Sequence, residues 1–305
     1  METKKVKQVC IGQLAIDDII IWNKMSQYNR IGGSALYSSL GMALWKDLVG
    51  IVGKVGSDYD MVQFKKLIPS NLVPNIIIDG ETSRRLWVLH DENNEHYFVP
   101  KYSSLSDTAC APRPHEISEA FIRDADLFHI CPFPVEYQSE LAKFLKSKKK
   151  IVTVDPDAKS CSDRPKLHEF DNLFQNVDVF LPSEIEIDSL LGIDEKQTKT
   201  DDYLLEVERF VDYYNIKVCV LKRGEKGIFL YDRTKNIRKK CKAIQVNVVD
   251  STGAGDAFSG GFGYAYKFNR DSLSAVHYGL ISAAFSVVGI GIEKLLEVNR
   301  GGQVL

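Results

Sequence analysis

Paired cysteines, an excess of charge of one sign and long hydrophobic runs are all missing from this sequence. Six cysteines are spread over 305 residues without a Cys-x-x-Cys pair, which argues against a disulfide scaffold or a zinc site and favours reduced thiols in the cytoplasm. The formal net charge of −2 offers no basic excess for binding nucleic acid. No apolar run is long enough to span a membrane, and the charged start leads directly into a strand-like segment, so we expect neither a membrane protein nor a signal peptide.

Three enzyme motifs are also absent, and each absence argues against a class of enzyme. No Gly-x-Gly-x-x-Gly follows the first predicted strand, which argues against a dinucleotide-dependent oxidoreductase. A P-loop, Gly-x-x-x-x-Gly-Lys-Ser/Thr, and a nucleophile elbow, Gly-x-Ser-x-Gly, are missing as well. These absences argue against a P-loop nucleotidase and an esterase. No repeat with a period of about 20–50 residues is present, so a repeat protein is excluded.

Strand-like and helix-like segments alternate along most of the chain and predict a mostly parallel central sheet with helices on both faces. The predicted helices cover residues 34–45, 59–68, 135–147, 184–191, 201–214, 254–268, 272–288 and 293–298. The predicted strands cover residues 6–12, 47–53, 73–79, 126–131, 151–155, 177–181 and 217–222, and β segments continue over 227–249. Among these β segments, residues 244–249 predict the end of a strand.

Two segments interrupt this alternation and predict a small separate β-sheet. Residues 82–90 and 95–99 alternate in polarity around the turn signal Asp-Glu-Asn-Asn at 91–94, as expected for a β-hairpin with one exposed face. A short strand at 19–22 would join this hairpin. The predicted domains are therefore a β-sheet lid of residues 15–32 and 79–104, and a large α/β domain of residues 1–14, 33–78 and 105–305.

The stretch that begins the predicted helix at 254–268 carries the clearest chemistry. Gly253, Ala254 and Gly255 have almost no side chains, so their backbone N–H groups can turn onto an anion at the start of a helix. Asp256 follows in the first helical turn, where a carboxylate beside a bound phosphate would take a proton from an attacking hydroxyl. In the alternative interpretation, Asp256 only complements the helix dipole and the glycines only make a turn.

Residues 250–258, Asp-Ser-Thr-Gly-Ala-Gly-Asp-Ala-Phe, resemble the C-terminal signature of the ribokinase or PfkB group of carbohydrate kinases. Gly32 and Gly33 with the following helix, and residues 52–58, Val-Gly-Lys-Val-Gly-Ser-Asp, resemble its N-terminal signature. Residues 221–227 resemble the strand and turn beside the nucleotide, and the predicted hairpin resembles the family's lid. The resemblance covers nearly the whole chain and implies a ribokinase-like α/β fold with a small β-sheet lid.

The resemblance implies a kinase that transfers the γ-phosphate of ATP to a hydroxyl group, with Mg²⁺ to neutralise the phosphate charge. Asp256 would be the general base that accepts the proton of this hydroxyl. The residues implied in the anion hole are Gly253, Ala254 and Gly255, and those implied in substrate binding are Asp17, Gly32 and Gly33. The residues implied in ATP binding are Ser183, Lys222, Gly224, Gly227 and Thr252, with the 281–291 segment beside the adenine.

Residues 183–186, Ser-Glu-Ile-Glu, stand where the family often has Asn-x-x-Glu, and they allow two interpretations. If the family role is kept, Glu186 would hold Mg²⁺ through a water molecule. Ser-x-x-Glu is also a helix capping box, in which Ser183 and Glu186 satisfy each other's backbone donors. By resemblance, a monovalent cation such as K⁺ would lie near Asp250.

Departures from the family pattern bear on the substrate. Tyr37 stands where ribokinase-like members often have an Asn, and Ala15 replaces a second Asn, so Tyr37 would face the substrate where an amide is lost. Residues 155–159, Asp-Pro-Asp-Ala-Lys, are an altered form of the family's Asp-x-Asn-x-Arg. Because neighbours on a strand face opposite ways, at most one of Arg84 and Arg85 faces the site. Arg84 would contact a substrate phosphate or carboxylate, although an edge-strand charge that prevents aggregation is the alternative.

The sequence therefore predicts an ATP-dependent kinase that phosphorylates a hydroxyl of a small polyhydroxylated substrate, with a sugar as the leading acceptor. A nucleoside or cyclitol kinase of the same fold is the first alternative. The second is a catalytically silent module that binds a sugar or a nucleotide, although such a module has no need of a base at Asp256. The resemblance also implies a homodimer formed through the lid.

Overall fold

The computed structural model of the protein describes residues 5–92, 96–101, 104–163, 167–193 and 200–301. Short runs of Val, Ile, Leu and Phe form most of the strands, and their burial on both faces is typical of a parallel sheet covered by helices. The strands are β1 (Gln8–Ile11), β2 (Ala15–Ile21), β3 (Met25–Gly32), β4 (Val49–Val55), β5 (Leu72–Ile78), β6 (Arg84–His90), β7 (His96–Pro100), β8 (Leu127–Ile130), β9 (Ile151–Val154), β10 (Val179–Phe180), β11 (Val218–Lys222), β12 (Ile228–Asp232) and β13 (Ile237–Cys241).

The helices form where apolar residues recur along one face. Leu141 and Leu145, four residues apart in a helix of thirteen residues, are both fully buried, as the helical period requires. The helices are α1 (Ser34–Ala43), α2 (Met61–Leu67), α3 (Glu119–Asp124), α4 (Val135–Ser147), α5 (Ala158–Ser162), α6 (Leu167–Phe174), α7 (Glu184–Leu191), α8 (Thr200–Tyr213), α9 (Ala254–Asn269), α10 (Ser272–Val287) and α11 (Glu293–Asn299).

Within the part of the chain that the structure describes, the large sheet contains nine strands in the order β13-β12-β11-β10-β9-β8-β1-β4-β5. Its pairs are parallel except for the antiparallel pairs β11–β12 and β12–β13. One apolar cluster includes residues of α1, α9, α10 and α11, and a second includes residues of α3, α4, α6, α7 and α8. Neighbours on β1, Cys10 and Val9, belong to different clusters, so the two cores lie on opposite faces. The predicted sheet with helices on both faces is confirmed.

The small sheet has four strands in the order β3-β2-β6-β7. Strands β2 and β6 pair in parallel, and the other two pairs are antiparallel. Its inner face packs Ile19 and Val88 against Ile290 of the large body. All four strands fall within residues 15–32 and 79–104, so the predicted second sheet is confirmed. Val249, in the segment that leads into α9, packs against the same cluster, so the small sheet lies beside that segment.

The predicted strand over residues 244–249 is wrong. In the described residues after β13, which lies at the edge of the large sheet, there is no further strand. Ile244 and Val248 are 43% and 46% exposed, because the chain leaves the sheet after β13 instead of adding a further strand to its edge. Val249 instead donates its N–H to the carbonyl oxygen of Val287 at 2.8 Å. The β propensity of these residues decides little without a neighbouring strand to pack against.

Several short elements have no predictive signal in the sequence. Helices α3, α5 and α6 have six, five and eight residues, which is too short for a clear helical period. Strand β3 exposes most of its side chains, so it lacks the alternation that identifies a half-buried strand. Residues 93–95, which belong to the predicted turn and hairpin, lie outside the described residues.

The six cysteines are all free thiols, and five of them are buried. This agrees with the expectation that they are core residues rather than a disulfide scaffold. Within the described ranges, no helix combines the length and the apolar character needed to cross a membrane.

Candidate active site

Helix α9 begins at a loop that directs backbone donors outward. Gly253 precedes the helix with φ at +72°, a conformation that residues with a Cβ adopt at a cost. The N–H of Ala254 bonds to the carbonyl oxygen of Ser251 at 3.3 Å. The N–H groups of Gly255 and Asp256 lie in the first turn, where the helix itself offers no acceptor. This end of α9 can therefore bind an anion.

The start of α9 is held in place by its close crossing with α1. A Cβ added to Gly260 would lie 1.9 Å from the carbonyl oxygen of Ser38, and one added to Gly41 would lie 2.4 Å from that of Ala257. Only glycine fits at either contact, so the two helix backbones approach each other closely. Because packed helices cannot slide without losing this fit, the crossing fixes the loop before α9.

Asp256 is partly exposed and accepts no hydrogen bond from another described residue. Burial and the carboxylates of Asp155 and Glu186 raise its pKa well above the usual value, while the ammonium of Lys222 lowers it. Lys222 forms an ion pair with Asp155, which also accepts a hydrogen bond from the hydroxyl of Ser259 at 3.1 Å. Lys222 thus lies near the carboxylates of Asp155, Glu186 and Asp256. Because its pKa is raised, Asp256 has a higher proton affinity than an ordinary Asp. That property suits a general base near neutral pH.

Asp17 lies on β2, where its carboxylate is buried and one of its oxygens has no hydrogen-bond donor in the described structure. It is 4% exposed, and its Oδ1 has no hydrogen-bond partner among the described residues. Burial raises the pKa of Asp17 to about 7, against the opposing effect of the Arg84 guanidinium. A Cβ on Gly32 would lie 2.2 Å from Oδ2 of Asp17, and one on Gly33, whose φ is +98°, would lie 2.5 Å from the carbonyl oxygen of Gln13. Since an unpaired buried carboxylate is costly, Oδ1 of Asp17 is available to a ligand, and the role of Asp17 in substrate binding stays a prediction.

Tyr37 on α1 lies between Asp17 and the loop before α9. It is 2% exposed, and a Cβ on Gly253 would lie 2.1 Å from its ring, so the ring packs directly against the loop before α9. Burial, followed by the carboxylates of Asp250, Asp17 and Asp256, raises its pKa well above the usual value. The ring is therefore the point at which these three carboxylates converge.

The two arginines of β6 have different partners. Arg84 pairs with Asp107 and its side chain is 12% exposed, and its charge acts on Asp17. Arg85 donates from Nη2 to Oδ2 of Asp58 at 2.8 Å. Arg84 is thus the arginine on the Asp17 side, while its contact with a substrate stays a prediction.

The predicted ATP-binding residues at the end of β11 are grouped near α9. Lys222 and Ser183 pair through a parallel bridge, and a Cβ on Gly255 would lie 3.3 Å from Nζ of Lys222, so the lysine reaches the start of α9. Gly224 and Gly227 have φ values of +54° and +87° and turn the chain from β11 into β12. Their ATP-binding roles stay predictions, since the turn itself accounts for both glycines.

The capping box at the start of α7 is present. The backbone N–H of Ser183 donates to Oε2 of Glu186 at 2.5 Å, and its hydroxyl contacts the same oxygen. Among the described residues, no group of three or more His, Cys, Asp or Glu side chains could hold a metal ion. A Mg²⁺ ion held mainly by phosphates and water needs only one or two carboxylates. Glu186, whose charge acts on Asp256, fits such a role.

Asp250 precedes the loop, and both of its oxygens already accept hydrogen bonds. Oδ1 accepts from the N–H of Thr252 at 2.8 Å and lies 3.1 Å from Nε2 of His90, and Oδ2 accepts from the N–H of Gly291 at 2.8 Å. Burial opposes ionisation, but these donors hold the pKa of Asp250 below its usual range. The same Nε2 lies 3.0 Å from Oγ1 of Thr252. Thr252, predicted to bind ATP, therefore directs its hydroxyl to the small sheet.

Asp155 and His90 are site residues that the sequence interpretation missed. Asp155 begins the altered segment at 155–159, so its match to the family's first Asp was a usable signal. His90 gave no local signal, because it ends a predicted hairpin strand and its partner Thr252 is 162 positions away.

A ribokinase-like α/β fold with a small second sheet, and a carboxylate in the first turn of a helix that can bind an anion, form the arrangement expected of a phosphotransferase of the kinase class. The family model described as pfkB family carbohydrate kinase matches residues 7–296. The chain therefore belongs to this family.

Proteins similar to this chain are named for different substrates. A cytidine kinase from Thermococcus kodakarensis is 28% identical over 275 residues, covering 89% of this chain and 92% of the relative. A ribokinase from Arabidopsis thaliana solved with ribose and ATP has a TM-score of 0.72 at 17% identity, covering 97% of this chain and 99% of that one. An Escherichia coli protein provisionally assigned as a ribokinase II, solved with ATP and Mg²⁺, has a TM-score of 0.74 at 17% identity, covering 97% and 98%. At these identities the two structures share the fold.

Proposed function

We propose that this protein transfers the γ-phosphate of Mg·ATP to an alcohol of a small polyhydroxylated molecule, with Asp256 as the general base. The observation that carries the proposal is the position of Asp256. It stands in the first turn of α9 behind the positive-φ Gly253, accepts no hydrogen bond from another described residue, and has a raised pKa. A passive phosphate site gains nothing from a carboxylate there, whereas phosphoryl transfer needs a base there.

In the proposed mechanism, each group acts on one part of the reaction. Asp17 orients the acceptor hydroxyls through its unpaired oxygen, with Gly32 and Gly33 allowing close approach. The predicted anion hole at 253–255 stabilises the transferring phosphoryl group as its charge develops. The N–H groups of Gly255 and Asp256 are the donors available for this, because the N–H of Ala254 already bonds to the carbonyl oxygen of Ser251. Lys222, at the end of β11, lies where it can contact the phosphates. Mg²⁺, held by Glu186 through water, would neutralise phosphate charge when bound.

The small sheet acts as a lid in this proposal. Its inner face carries Asp17 and Arg84 and packs beside the loop before α9. A closed lid would exclude water, which would otherwise compete with the acceptor hydroxyl. We propose the domain division accordingly, with the lid in residues 15–32 and 79–104 and the remainder of the chain in the large domain.

A sugar is the proposed acceptor, and a nucleoside is the second candidate. The cytidine kinase relative supports a nucleoside, since it spans most of both chains. A cleft of about 230 Å³ lined by Arg84, Lys101, Asp107 and Lys159 would offer polar contacts to a group attached to the sugar ring. Tyr37 in place of an amide argues against plain ribose.

An ADP-release assay over sugars, nucleosides and cyclitols tests the proposal. We expect ADP release that depends on both Mg²⁺ and one class of acceptor, and its loss in Asp256→Asn. Binding of an acceptor and ATP without transfer to any member of the panel would support the silent binding module instead. Cytidine as the preferred acceptor would select the nucleoside kinase.

The remaining proposals concern assembly, ions and location. Trp87 and Val99 lie opposite each other on the outer face of the lid, at 42% and 37% exposed, which supports a homodimer through the lid. Light scattering that shows a monomer would overturn it. The K⁺ ion predicted near Asp250 is left out of the proposed mechanism, because the carboxylate of Asp250 already accepts hydrogen bonds from the N–H groups of Thr252 and Gly291. A cytoplasmic location stays a prediction, which the free cysteines support.

A further inference from the structure

His90 connects the small sheet to the loop before α9. It is the last residue of β6, its side chain is fully buried, and its Nε2 lies 3.1 Å from Oδ1 of Asp250 and 3.0 Å from Oγ1 of Thr252. A carboxylate only accepts hydrogen bonds, so the contact with Asp250 requires a hydrogen on Nε2. His90 therefore donates a hydrogen bond to this loop from a strand of the small sheet.

The surroundings of Asp250 do not fit a monovalent cation. A K⁺ ion is bound by several oxygens that replace its hydration shell. The carboxylate of Asp250 instead accepts from Thr252, Gly291 and His90, which uses three of its roughly four lone-pair positions. These donors direct partly positive hydrogens at the oxygens that a cation would have to contact. With most of its acceptor positions taken by N–H groups, the carboxylate of Asp250 is satisfied as an anion and is poorly suited to coordinating a cation.

We infer that His90 is a positioning residue that takes the place of a monovalent cation at Asp250. From its position on the lid, it keeps the loop before α9 in one conformation. Its catalytic consequence rests on the proposed kinase function, whereas its structural consequence does not. Tyr37 is the other side chain at this point, and Asp17 and Asp256 are the further charged groups that act on its ring. None of these three offers a hydrogen bond to Asp250 in the described structure, so the role falls to His90.

The loop would lose a fixed geometry without this contact. Thr252 is 4% exposed, and its N–H and hydroxyl bind the two groups, Asp250 and His90, that meet here. Gly253 follows directly and starts the anion-binding turn. Without His90, the buried carboxylate of Asp250 would lack one donor, and binding another donor or a cation would become favourable. The turn at Gly253 would then shift together with Asp250.

The first test compares the wild-type protein in potassium chloride and in tetramethylammonium chloride at equal ionic strength. We expect the same Tm and a kcat that changes less than about twofold, because no cation is bound. A clear rise in Tm or in kcat that is specific to K⁺ would overturn the inference.

The second test uses His90→Ala and His90→Gln. In tetramethylammonium chloride we expect His90→Ala to have a lower Tm and a kcat about tenfold lower, from one unsatisfied buried group, with little change in the KM for the acceptor. K⁺ should raise the Tm of this variant by binding at the vacated position. His90→Gln, whose Nε2 can donate to Asp250, should keep most of the wild-type kcat.

His129→Ala is the matched control, because His129 is a fully buried histidine on β8 whose Nδ1 contacts Thr153 instead of the loop. It should lose Tm without gaining any K⁺ effect. A wild-type Tm and kcat in His90→Ala, or a K⁺ response equal in both alanine variants, would reject the role of His90. If His90→Ala does not fold, the wild-type and glutamine measurements still decide. If no substrate is phosphorylated, the Tm measurements test the inference independently of the kinase proposal.

Discussion

Asp178 and Asp17 are both almost fully buried, at 5% and 4% exposed, but their carboxylates have different surroundings. Asp178 accepts hydrogen bonds from Nζ of Lys146 at 2.8 Å, Nζ of Lys217 at 2.7 Å and the N–H of Val152 at 2.9 Å. Burial alone would raise its pKa, yet these donors hold it below the usual value. Asp17 has a buried oxygen without a partner in the described structure, and burial raises its pKa to about 7.

The difference shows that donors, and not burial, decide what a buried carboxylate does. A carboxylate with a full set of donors is more stable ionised in the fold than in the unfolded chain, so it stabilises the native state. One without donors destabilises the native state once it ionises, and it is available to a ligand. Asp256 belongs with Asp17 in this respect, since its pKa is also raised.

The largest expected effect is the loss of turnover in Asp256→Asn. We expect kcat to fall by roughly 10²–10⁴-fold, because the attacking hydroxyl loses its base. The Tm should stay the same or rise, since the variant removes a charge that the fold disfavours. Steady-state kinetics and thermal unfolding of the same preparation check both halves. A variant with near-normal kcat would show that Asp256 is not the base.

Asp17→Asn should weaken acceptor use and stabilise the fold. We expect kcat/KM for the acceptor to fall about tenfold or more, since a site built to bind a hydroxyl loses its charged acceptor. A raised folded pKa means that wild-type stability falls as pH rises from the usual Asp value toward about 7. The Tm advantage of the variant should therefore grow across that window and then level off. Thermal unfolding at a series of pH values measures it.

Asp18→Asn is the matched control for Asp17→Asn. Asp18 accepts from the N–H of Asn29 at 2.9 Å and pairs with Lys101, and despite burial its pKa is lowered. Asp18→Asn should lower the Tm, and it should not show the Tm advantage that grows with pH in Asp17→Asn. Equal pH profiles for the two variants would contradict the distinction.

Asp178→Asn should destabilise the fold and leave the kinetics unchanged. We expect a loss of about 1–3 kcal/mol in the free energy of unfolding, because Lys146 and Lys217 lose a shared counter-charge. A lowered folded pKa contributes stability above the unfolded value and loses it as pH falls through the folded value. The gap to the wild type should therefore close in acid, the reverse of the Asp17→Asn result. Denaturant unfolding at two pH values checks the sign.

The smallest expected effects are opposite pH shifts from the two members of one ion pair. Asp155 raises the pKa of Asp256 and Lys222 lowers it. Since Asp256 must be ionised to act, kcat rises with pH through its pKa. Asp155→Asn should move this acid limb to lower pH, and Lys222→Met should move it to higher pH. Shifts in the same direction would show that another group controls the limb.

Much of the fold could be predicted because its signals are local. The helices Val135–Ser147 and Glu184–Leu191 have the predicted bounds, since each carries a helical period or a capping box in its own sequence. The strand predicted at 244–249 failed for a non-local reason, because the chain leaves the sheet after β13 and Val249 bonds to Val287 of α10 instead of to a strand.

The site divides in the same way. Gly253 to Asp256 are consecutive, so the anion loop and its carboxylate are visible in one stretch of sequence. The pairs that tune this loop are not, because Lys222 lies 67 positions from Asp155 and Thr252 lies 162 positions from His90. Only the order of strands β9, β10 and β11 and the placement of the small sheet bring them together.

The ring of Tyr37 occupies a volume that a smaller side chain would leave empty. It touches the loop at Gly253, and a Cβ on Gly32 or on Gly291 would lie 3.9 or 3.5 Å from it. Replacing the tyrosine by alanine would open a hole beside the backbone of these glycines, between the residues that we propose to bind the acceptor and the phosphate. An acceptor analogue carrying an added bulky group would fit the variant and clash with the natural protein. Tyr37 is thus the position at which we expect a substitution to let a variant of this protein accept a bulkier synthetic substrate.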